Sequence, residues 1–82
     1  MRPKYFYKDF YVVKVNGYMY WHNDGYKCCG KLSQDTNMET LRWFGEYADA
    51  VKYIEKYKNE LGVQFYTIKK VQLSFKEVEM EG

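Results

Sequence analysis

Two runs of strand-like residues flank an Asn-Gly pair in the first third of the chain. Residues 10–15 read Phe-Tyr-Val-Val-Lys-Val and residues 18–22 read Tyr-Met-Tyr-Trp-His, so β-branched and aromatic side chains dominate both. Asn16 and Gly17 suit a two-residue type I′ turn because both tolerate positive φ. The pattern predicts a β-hairpin.

A second turn signal and a segment of mixed character follow the hairpin. Asp24-Gly25 leads into residues 26–32, which predicts a third strand in the same meander. Residues 33–45 are rich in loop formers, carry the Thr36 to Glu39 spacing of a capping box, and fit neither the strand nor the helix period. We expect a loop there, with a short helical turn or an edge segment.

The last third of the chain begins with a helical period and ends with a strand-like one. Apolar residues recur at three- and four-residue intervals up to Gly62, which can end a helix in the left-handed conformation: Tyr47, Ala50, Val51, Ile54, Tyr57 and Leu61. Residues 63–68 and 71–75 are then predicted as two strands or one long bulged strand, since the apolar parity shifts between them. The tail, residues 76–82, is expected to fray.

These elements predict an α+β fold. The order is β-β-β-α-β, with or without a fifth strand, and one main helix packs on one face of an antiparallel sheet. With 82 residues, the chain is shorter than the usual share of one domain, so residues 1–82 are predicted to form a single small domain.

The predicted turn sets the register of the hairpin and so divides its side chains between two faces. A two-residue turn pairs Val15 with Tyr18, and one-residue steps alternate the faces from there. One face then carries Phe10, Val12, Met19, Trp21 and Cys28, and the other carries Tyr11, Val13, Val15, Tyr18, Tyr20 and His22. Both faces are largely apolar, and a single helix can cover one of them. We assign the helix to the face with Trp21.

The remaining, tyrosine-rich face is the predicted functional surface. Tyr11, Tyr18, Tyr20 and His22 are the predicted partner-binding residues, because tyrosine is enriched where proteins contact each other. Two alternatives stay open. The C-terminal strand or residues 33–44 fold over this face, or a second copy of the chain covers it.

Catalytic and metal-binding chemistry is not predicted. His22 is the only histidine, and adjacent Cys28 and Cys29 point to opposite sides of a strand, so neither a catalytic triad nor a zinc set is encoded. We predict a non-enzymatic protein with no cofactor and no metal. Adjacent cysteines also disfavour a disulfide, which predicts reduced thiols and a cytoplasmic location. No apolar run reaches the length of a membrane helix, so no membrane partner is predicted.

The charge balance argues against a strongly basic nucleic-acid-binding domain. Thirteen Lys and Arg oppose eleven Asp and Glu, which leaves a formal net charge of +2 at pH 7. Lysines nevertheless interleave with tyrosines in the first 31 residues, a mixture used for backbone contact and base stacking. Binding to single-stranded nucleic acid is therefore a less favoured alternative, and a structural homodimer is another.

The progression of elements also resembles a class of known proteins. A Tyr-Val-Val-Lys-Val strand, an Asn-Gly turn, a Tyr-Met-Tyr-Trp strand, Leu41-Arg42-Trp43-Phe44, the Ala50-Val51-x-x-Ile54 helix and a Val-Gln-Phe-Tyr-Thr-Ile strand cover residues 10–68. This progression resembles small orphan proteins of phages and mobile elements, of the anti-CRISPR and anti-defence kind. The resemblance implies an inhibitor that binds a bacterial host protein or nuclease complex in the host cytoplasm.

Overall fold

The computed structural model of the chain describes residues 4–77. Within them the chain forms the strands β1 (Lys4–Val15), β2 (Met19–Asp24), β3 (Lys27–Ser33) and β4 (Tyr66–Glu77), and the helix α1 (Tyr47–Leu61). The strands make one antiparallel sheet in the order β3-β2-β1-β4. The predicted α+β fold is confirmed.

The first hairpin has a three-residue loop, so the predicted register is wrong by one residue. Val15 pairs with Met19, and Asn16, Gly17 and Tyr18 form the loop. Asn16 and Gly17 both have positive φ, at 53° and 81°, as expected of Asn-Gly. A one-residue slip moves every side chain of one strand to the other face. The predicted division of the hairpin between two faces therefore fails.

Asn16 fastens this loop to the start of β4. Its side-chain Oδ1 accepts hydrogen bonds from the backbone N–H of Gln64 at 2.8 Å and of Phe65 at 3.3 Å. Its own backbone N–H donates to the carbonyl oxygen of Phe65 at 2.8 Å. The turn is thus set by a partner 48 residues away in sequence, and a local reading of the turn residues cannot include it.

The helix packs on the face that carries Val13, Val15 and Trp21. These side chains are fully buried and form the core with Ala50 and Ile54 of α1. The helix ends at Gly62, whose φ is 71°, as the sequence predicts. Trp21 is correctly assigned to the helix side. Val13 and Val15, predicted to face outward, are the residues that the new register moves beneath the helix.

Strand β4 is one strand with continuous pairing to β1. The pairing runs from Lys4 opposite Glu77 to Val15 opposite Tyr66 without a bulge. The parity shift of its apolar residues has another cause. Tyr66 and Ile68 pack against the helix-covered core, whereas Val71 and Leu73 lie at odd positions and point to the opposite face. Both predicted alternatives, two separate strands and one bulged strand, are therefore wrong. The register shift of the described sheet lies between His22 and Asp24 instead.

Residues 41–44 enter the sheet between β1 and β2. The two strands pair only next to their loop and then diverge, and the gap is bridged by Leu41 opposite His22 and by Phe44 opposite Tyr11. Tyr11 and Phe44 exchange two backbone hydrogen bonds, at 2.8 and 2.9 Å. The sequence predicted a loop with a helical turn or an edge segment. The carbonyl oxygen of Asn37 accepts hydrogen bonds from the N–H groups of Thr40 and Leu41, both at 3.1 Å, so the helical turn is confirmed. Residues 41–44, however, lie in the interior of the sheet and not at an edge.

We call residues 41–44 the wedge. Beyond the wedge, β1 and β4 continue as a two-stranded arm. We define the arm as residues 4–10 of β1 with residues 71–77 of β4. It gives the molecule extents of 52 × 24 × 20 Å and a Cα radius of gyration of 15.8 Å, whereas about 12 Å is typical of a compact chain of this length. The elongated shape was not predicted from the sequence.

Candidate protein-binding surface

The four predicted binding residues do not share one surface. Tyr11 lies on the helix face, where its ring meets that of Tyr47 edge-on with 6.0 Å between centroids. Tyr18 is 57% exposed in the hairpin loop. Tyr20 is half-buried on the opposite face, with the ammonium group of Lys14 above its ring at 5.8 Å. The three-residue loop causes this separation, because it moves Tyr11 and Tyr20 to different faces.

His22 is buried, which corrects its prediction as a surface residue. It is 1% exposed, and its Nδ1 lies 3.0 Å from Oγ1 of Thr40. The Thr40 hydroxyl also bonds to the carbonyl oxygen of Asn37 at 3.2 Å. Among the described residues, Nε2 has no hydrogen-bond partner. His22 thus holds the segment before Leu41 against β2 and is not available to a partner.

Arg42 holds the same segment from the helix side. Its guanidinium lies 4.4 Å from the ring centroid of Trp21, and it donates to Oδ1 of Asn23 and to the carbonyl oxygen of Cys28, both at 3.0 Å. The Trp21 ring itself donates from Nε1 to the carbonyl oxygen of Cys29 at 2.8 Å. Arg42 therefore ties the wedge to two strands at once, a role that its position in a mixed sequence segment did not indicate.

The side of the sheet opposite α1 is the candidate surface, which we call the helix-free face. Because side chains alternate along a strand, the residues next to the core positions point to it. They are Phe6, Lys8, Phe10, Val12 and Lys14 of β1, Tyr20 and His22 of β2, Lys31 and Ser33 of β3, and Thr67, Lys69, Val71 and Leu73 of β4. Val12 and His22 are buried, so the other residues form the accessible part of this face. From the wedge, Trp43 joins this face, with its ring 5.0 Å from that of Phe10 in an edge-on contact.

Charge is distributed unevenly between the two sides of the sheet. Lys8, Lys14, Lys31 and Lys69 lie on the helix-free face, and all are exposed or half-exposed. The ion pairs among the described residues, Lys58 with Glu55 and Lys70 with Asp9, involve the helix or the strand face beneath it. None of the four lysines on the helix-free face is therefore paired with a carboxylate among the described side chains. A net charge of only +2 hides this separation.

Aromatic rings accompany these lysines. Lys8 lies over the ring of Phe10 at 5.2 Å, much as Lys14 lies over Tyr20. Phe6 is 47% exposed near the end of the arm, and Tyr5 and Tyr7 are 55% and 65% exposed on the arm's other side. Exposed aromatics beside unpaired cations fit a partner surface that supplies carboxylates or phosphates.

A separate polar cluster joins α1 to β4 on the other side of the sheet. The Tyr66 hydroxyl donates to Oε1 of Glu55 at 2.6 Å, which raises the pKa of Tyr66 to about 12. The hydrogen bond from Lys58, followed by that from Tyr66, lowers the pKa of Glu55 below its usual 4.5. A lowered pKa in the folded state stabilises the fold above the usual value, and that contribution is lost as the pH falls through the lowered pKa.

The remaining candidate chemistry is sparse in the described part of the chain. Cys28 and Cys29 are both free thiols, exposed and half-buried respectively. Residues 4–77 contain no group of three or more His, Cys, Asp or Glu side chains placed to hold a metal ion. The single helix of this range is too short and too polar to cross a membrane.

Comparison with known proteins identifies no relative. No protein-family model, curated protein or solved structure matches the chain. The geometry and charge of the surface are therefore the basis on which a function can be proposed.

Proposed function

We propose that this protein is a non-enzymatic protein-binding module that docks its helix-free face on an acidic surface of a partner. The observation that carries the proposal is the set of lysines on that face that have no carboxylate partner among the described side chains. Complementary charge speeds association and selects the partner, and aromatic residues beside it supply contact area. Of the four residues predicted to bind a partner, Tyr20 is retained in this proposal, with the Lys14 ammonium group above its ring.

The partner proposed is a bacterial host protein or nuclease complex of the kind blocked by anti-CRISPR and other anti-defence proteins. Such complexes are inhibited when a small protein covers a working surface, and no catalytic group is needed for that. A rigid sheet face suits this role because its side chains are already held in place before binding. The support for this partner class is the sequence resemblance over residues 10–68.

Charge reversal on the two sides of the molecule tests the proposal. We expect the double variant Lys14→Glu with Lys69→Glu to weaken binding to a purified host defence complex by about tenfold or more, which is about 1.4 kcal/mol. The matched control is Lys52→Glu with Lys56→Glu, which changes the net charge equally on the exposed side of α1. Binding is measured by biolayer interferometry, and inhibition by plasmid survival in a strain with active CRISPR defence.

Two results would contradict this function. Wild-type protein that neither binds the complexes nor protects the plasmid would refute the partner class. Equal loss in the two double variants would show that net charge, and not the helix-free face, determines binding. Circular dichroism of each variant establishes that the fold is retained.

A second candidate function, single-stranded nucleic-acid binding, is favoured by the same alternation of lysines and rings. Lys14 over Tyr20 and Lys8 over Phe10 place a cation beside each aromatic side chain, as in proteins that contact phosphates and stack bases. Fluorescence anisotropy with a labelled oligothymidylate tests it. Binding that falls steeply with salt, and fails in the Lys14→Glu, Lys69→Glu variant, supports this function. A flat titration dismisses it.

A further inference from the structure

Within residues 4–77, no strand pairs with the outer edge of β4. Strand β4 is the last strand of the sheet, and its other edge pairs with β1 over all twelve residues. The Asn16 N–H bonds to the carbonyl oxygen of Phe65, and hydrogen-bonded pairs recur every second residue from there. Odd-numbered residues of β4 therefore bond to β1. The even-numbered residues direct their N–H and C=O groups outward: Tyr66, Ile68, Lys70, Gln72, Ser74 and Lys76.

We infer that a second copy of this chain pairs with this edge, β4 antiparallel to β4, about a twofold axis beside Val71. In this register Lys70 lies opposite the partner's Gln72, and Ile68 lies opposite the partner's Ser74. Val71 lies opposite the partner's Val71 on the axis. The strand edge is separate from the helix-free face, so the dimer does not depend on the function proposed for that face.

Repulsion between like charges disfavours two registers close to this one. With the axis at Lys70, that lysine would oppose its own copy, and with the axis at Leu73, Lys70 would oppose the partner's Lys76. Like charges directly opposite each other destabilise a strand pair. With the axis at Val71, no charged residue among Tyr66–Lys76 meets a like charge.

The same register also brings opposite charges together at both ends of the interface. The partner's Lys76 lies opposite Tyr66, on the side of the sheet that carries α1. The Tyr66 hydroxyl bonds to Oε1 of Glu55, whose other oxygen pairs with Lys58, so this exposed carboxylate stands next to the incoming ammonium group. An axis at Gln72 would place Lys76 opposite the partner's Ile68 and lose this contact. The register at Val71 is thus self-complementary in charge.

Such a dimer accounts for the length of the arm. A two-stranded ribbon alone is marginally stable in water, yet residues 71–77 continue well beyond the core. In the antiparallel pair, the arm of each copy lies beside the core half of the other copy's β4. Each arm then becomes part of a wider sheet. The axis is perpendicular to the sheet, so both helices lie on one side and the two helix-free faces form one continuous surface.

A proline at an outward-facing position tests the interface without breaking the pairing to β1. Gln72→Pro removes an N–H that points to the open edge, a place where edge strands tolerate proline. We expect the wild-type mass in sedimentation equilibrium to rise with concentration towards twice the monomer mass of 10.0 kDa. Gln72→Pro is expected to stay monomeric. A wild-type protein that is monomeric at every concentration, or a Gln72→Pro variant that still dimerises, overturns the inference.

A charge swap tests the dimer interface if the proline variant does not fold. Lys76→Glu should weaken dimerisation about tenfold, because it places a carboxylate beside Glu55. Adding Glu55→Lys should restore most of the affinity, which loss of structure alone would not do. Lys27→Glu, at an exposed position on β3 at the opposite edge of the sheet, is the control and should leave dimerisation unchanged. Failure of the second exchange to rescue the first overturns the proposed register.

Disulfide trapping tests the position of the axis. In a background of Cys28→Ser and Cys29→Ser, Val71→Cys should form a cross-linked dimer on oxidation. Val71 and its copy would form a non-hydrogen-bonded antiparallel pair. The Cα atoms of such a pair are about 4.5 Å apart, within disulfide range. Leu73→Cys should not cross-link, because its copy lies about 13 Å along the strand. Cross-linking by Leu73→Cys and not by Val71→Cys would overturn the register.

Discussion

Gly30 shows how a single backbone position supports the packing of Trp21. Its φ is +72°, and a Cβ there would collide with the carbonyl oxygen of His22 and stand 2.8 Å from Nε1 of Trp21. The neighbouring strand therefore approaches so closely that only hydrogen fits. That approach brings the Cys29 carbonyl within reach of the Trp21 ring, which satisfies the one polar atom of a fully buried side chain.

We expect Gly30→Ala to lower the free energy of unfolding by about 3 kcal/mol, from the left-handed backbone and the collision with a carbonyl. Gly25→Ala is the matched control, since nothing lies within 4 Å of its added carbon. It should change stability by less than about 0.5 kcal/mol. Urea unfolding followed by tryptophan fluorescence measures both. Equal effects of the two substitutions would contradict this account.

Tyr66 should ionise only at high pH. Its pKa is raised from 10.0 to about 12, chiefly by the hydrogen bond to Glu55. Because the raised pKa belongs to the folded state, this contribution to stability is complete below pH 10 and is lost as the pH approaches 12. In a tyrosinate absorbance titration, Tyr66→Phe should remove a late phase. A late phase that persists in Tyr66→Phe would contradict the assignment.

At the scale of elements, the sequence predicted which elements form better than how they align. The strand, turn and helix patterns of residues 10–32 and 47–61 are local, so composition and period were sufficient. The hairpin register depended on Asn16 binding the backbone before β4, a distant contact. The wedge at residues 41–44 depended on Arg42 and Thr40 finding partners on β2 and β3. The prediction that the four binding residues share one face was wrong because that grouping relied on the hairpin register.

The contribution of Arg42 to the stability of the fold can be measured. We expect Arg42→Ala to lower the free energy of unfolding by about 2 kcal/mol, since it removes two charge-assisted hydrogen bonds and a cation–π contact. Arg42→Lys should recover less than half, because an ammonium group cannot reproduce the planar fork. Lys52→Ala, which removes an exposed cation over Tyr53, is the control and should cost about 0.5 kcal/mol or less. Thermal denaturation by circular dichroism gives the comparison; full recovery by lysine would contradict it.

At the scale of the whole molecule, the sheet has a helix-covered half and an extended half with different demands on sequence. Near the hairpin loop, apolar residues serve the core beneath α1. Along the arm, the apolar residues of β4 change to the helix-free side, as Val71 and Leu73 show. The parity shift between Ile68 and Val71 was the one visible sign of this change. Two interpretations fit that sign equally well, so the sequence could not distinguish a bulge from a straight strand.

Amide exchange should report this architecture residue by residue. In dilute solution, the amides of Lys69, Val71 and Leu73 should exchange slowly because they bond to β1, and those of Ile68, Lys70 and Gln72 should exchange rapidly. At high concentration the second group should become protected as β4 pairs with its copy. Nuclear magnetic resonance resolves the two groups. Protection of both groups in dilute solution would contradict the assignment of the open edge.

The contacts of the loop at Asn16 also affect the rate at which this asparagine deamidates. An asparagine followed by glycine is prone to cyclise to a succinimide, when the Gly17 nitrogen attacks the side-chain carbonyl and ammonia is released. Here two backbone N–H groups hold that carboxamide and restrict the rotation that cyclisation requires. Deamidation should therefore be slow while the fold is intact and become rapid once the loop separates from β4.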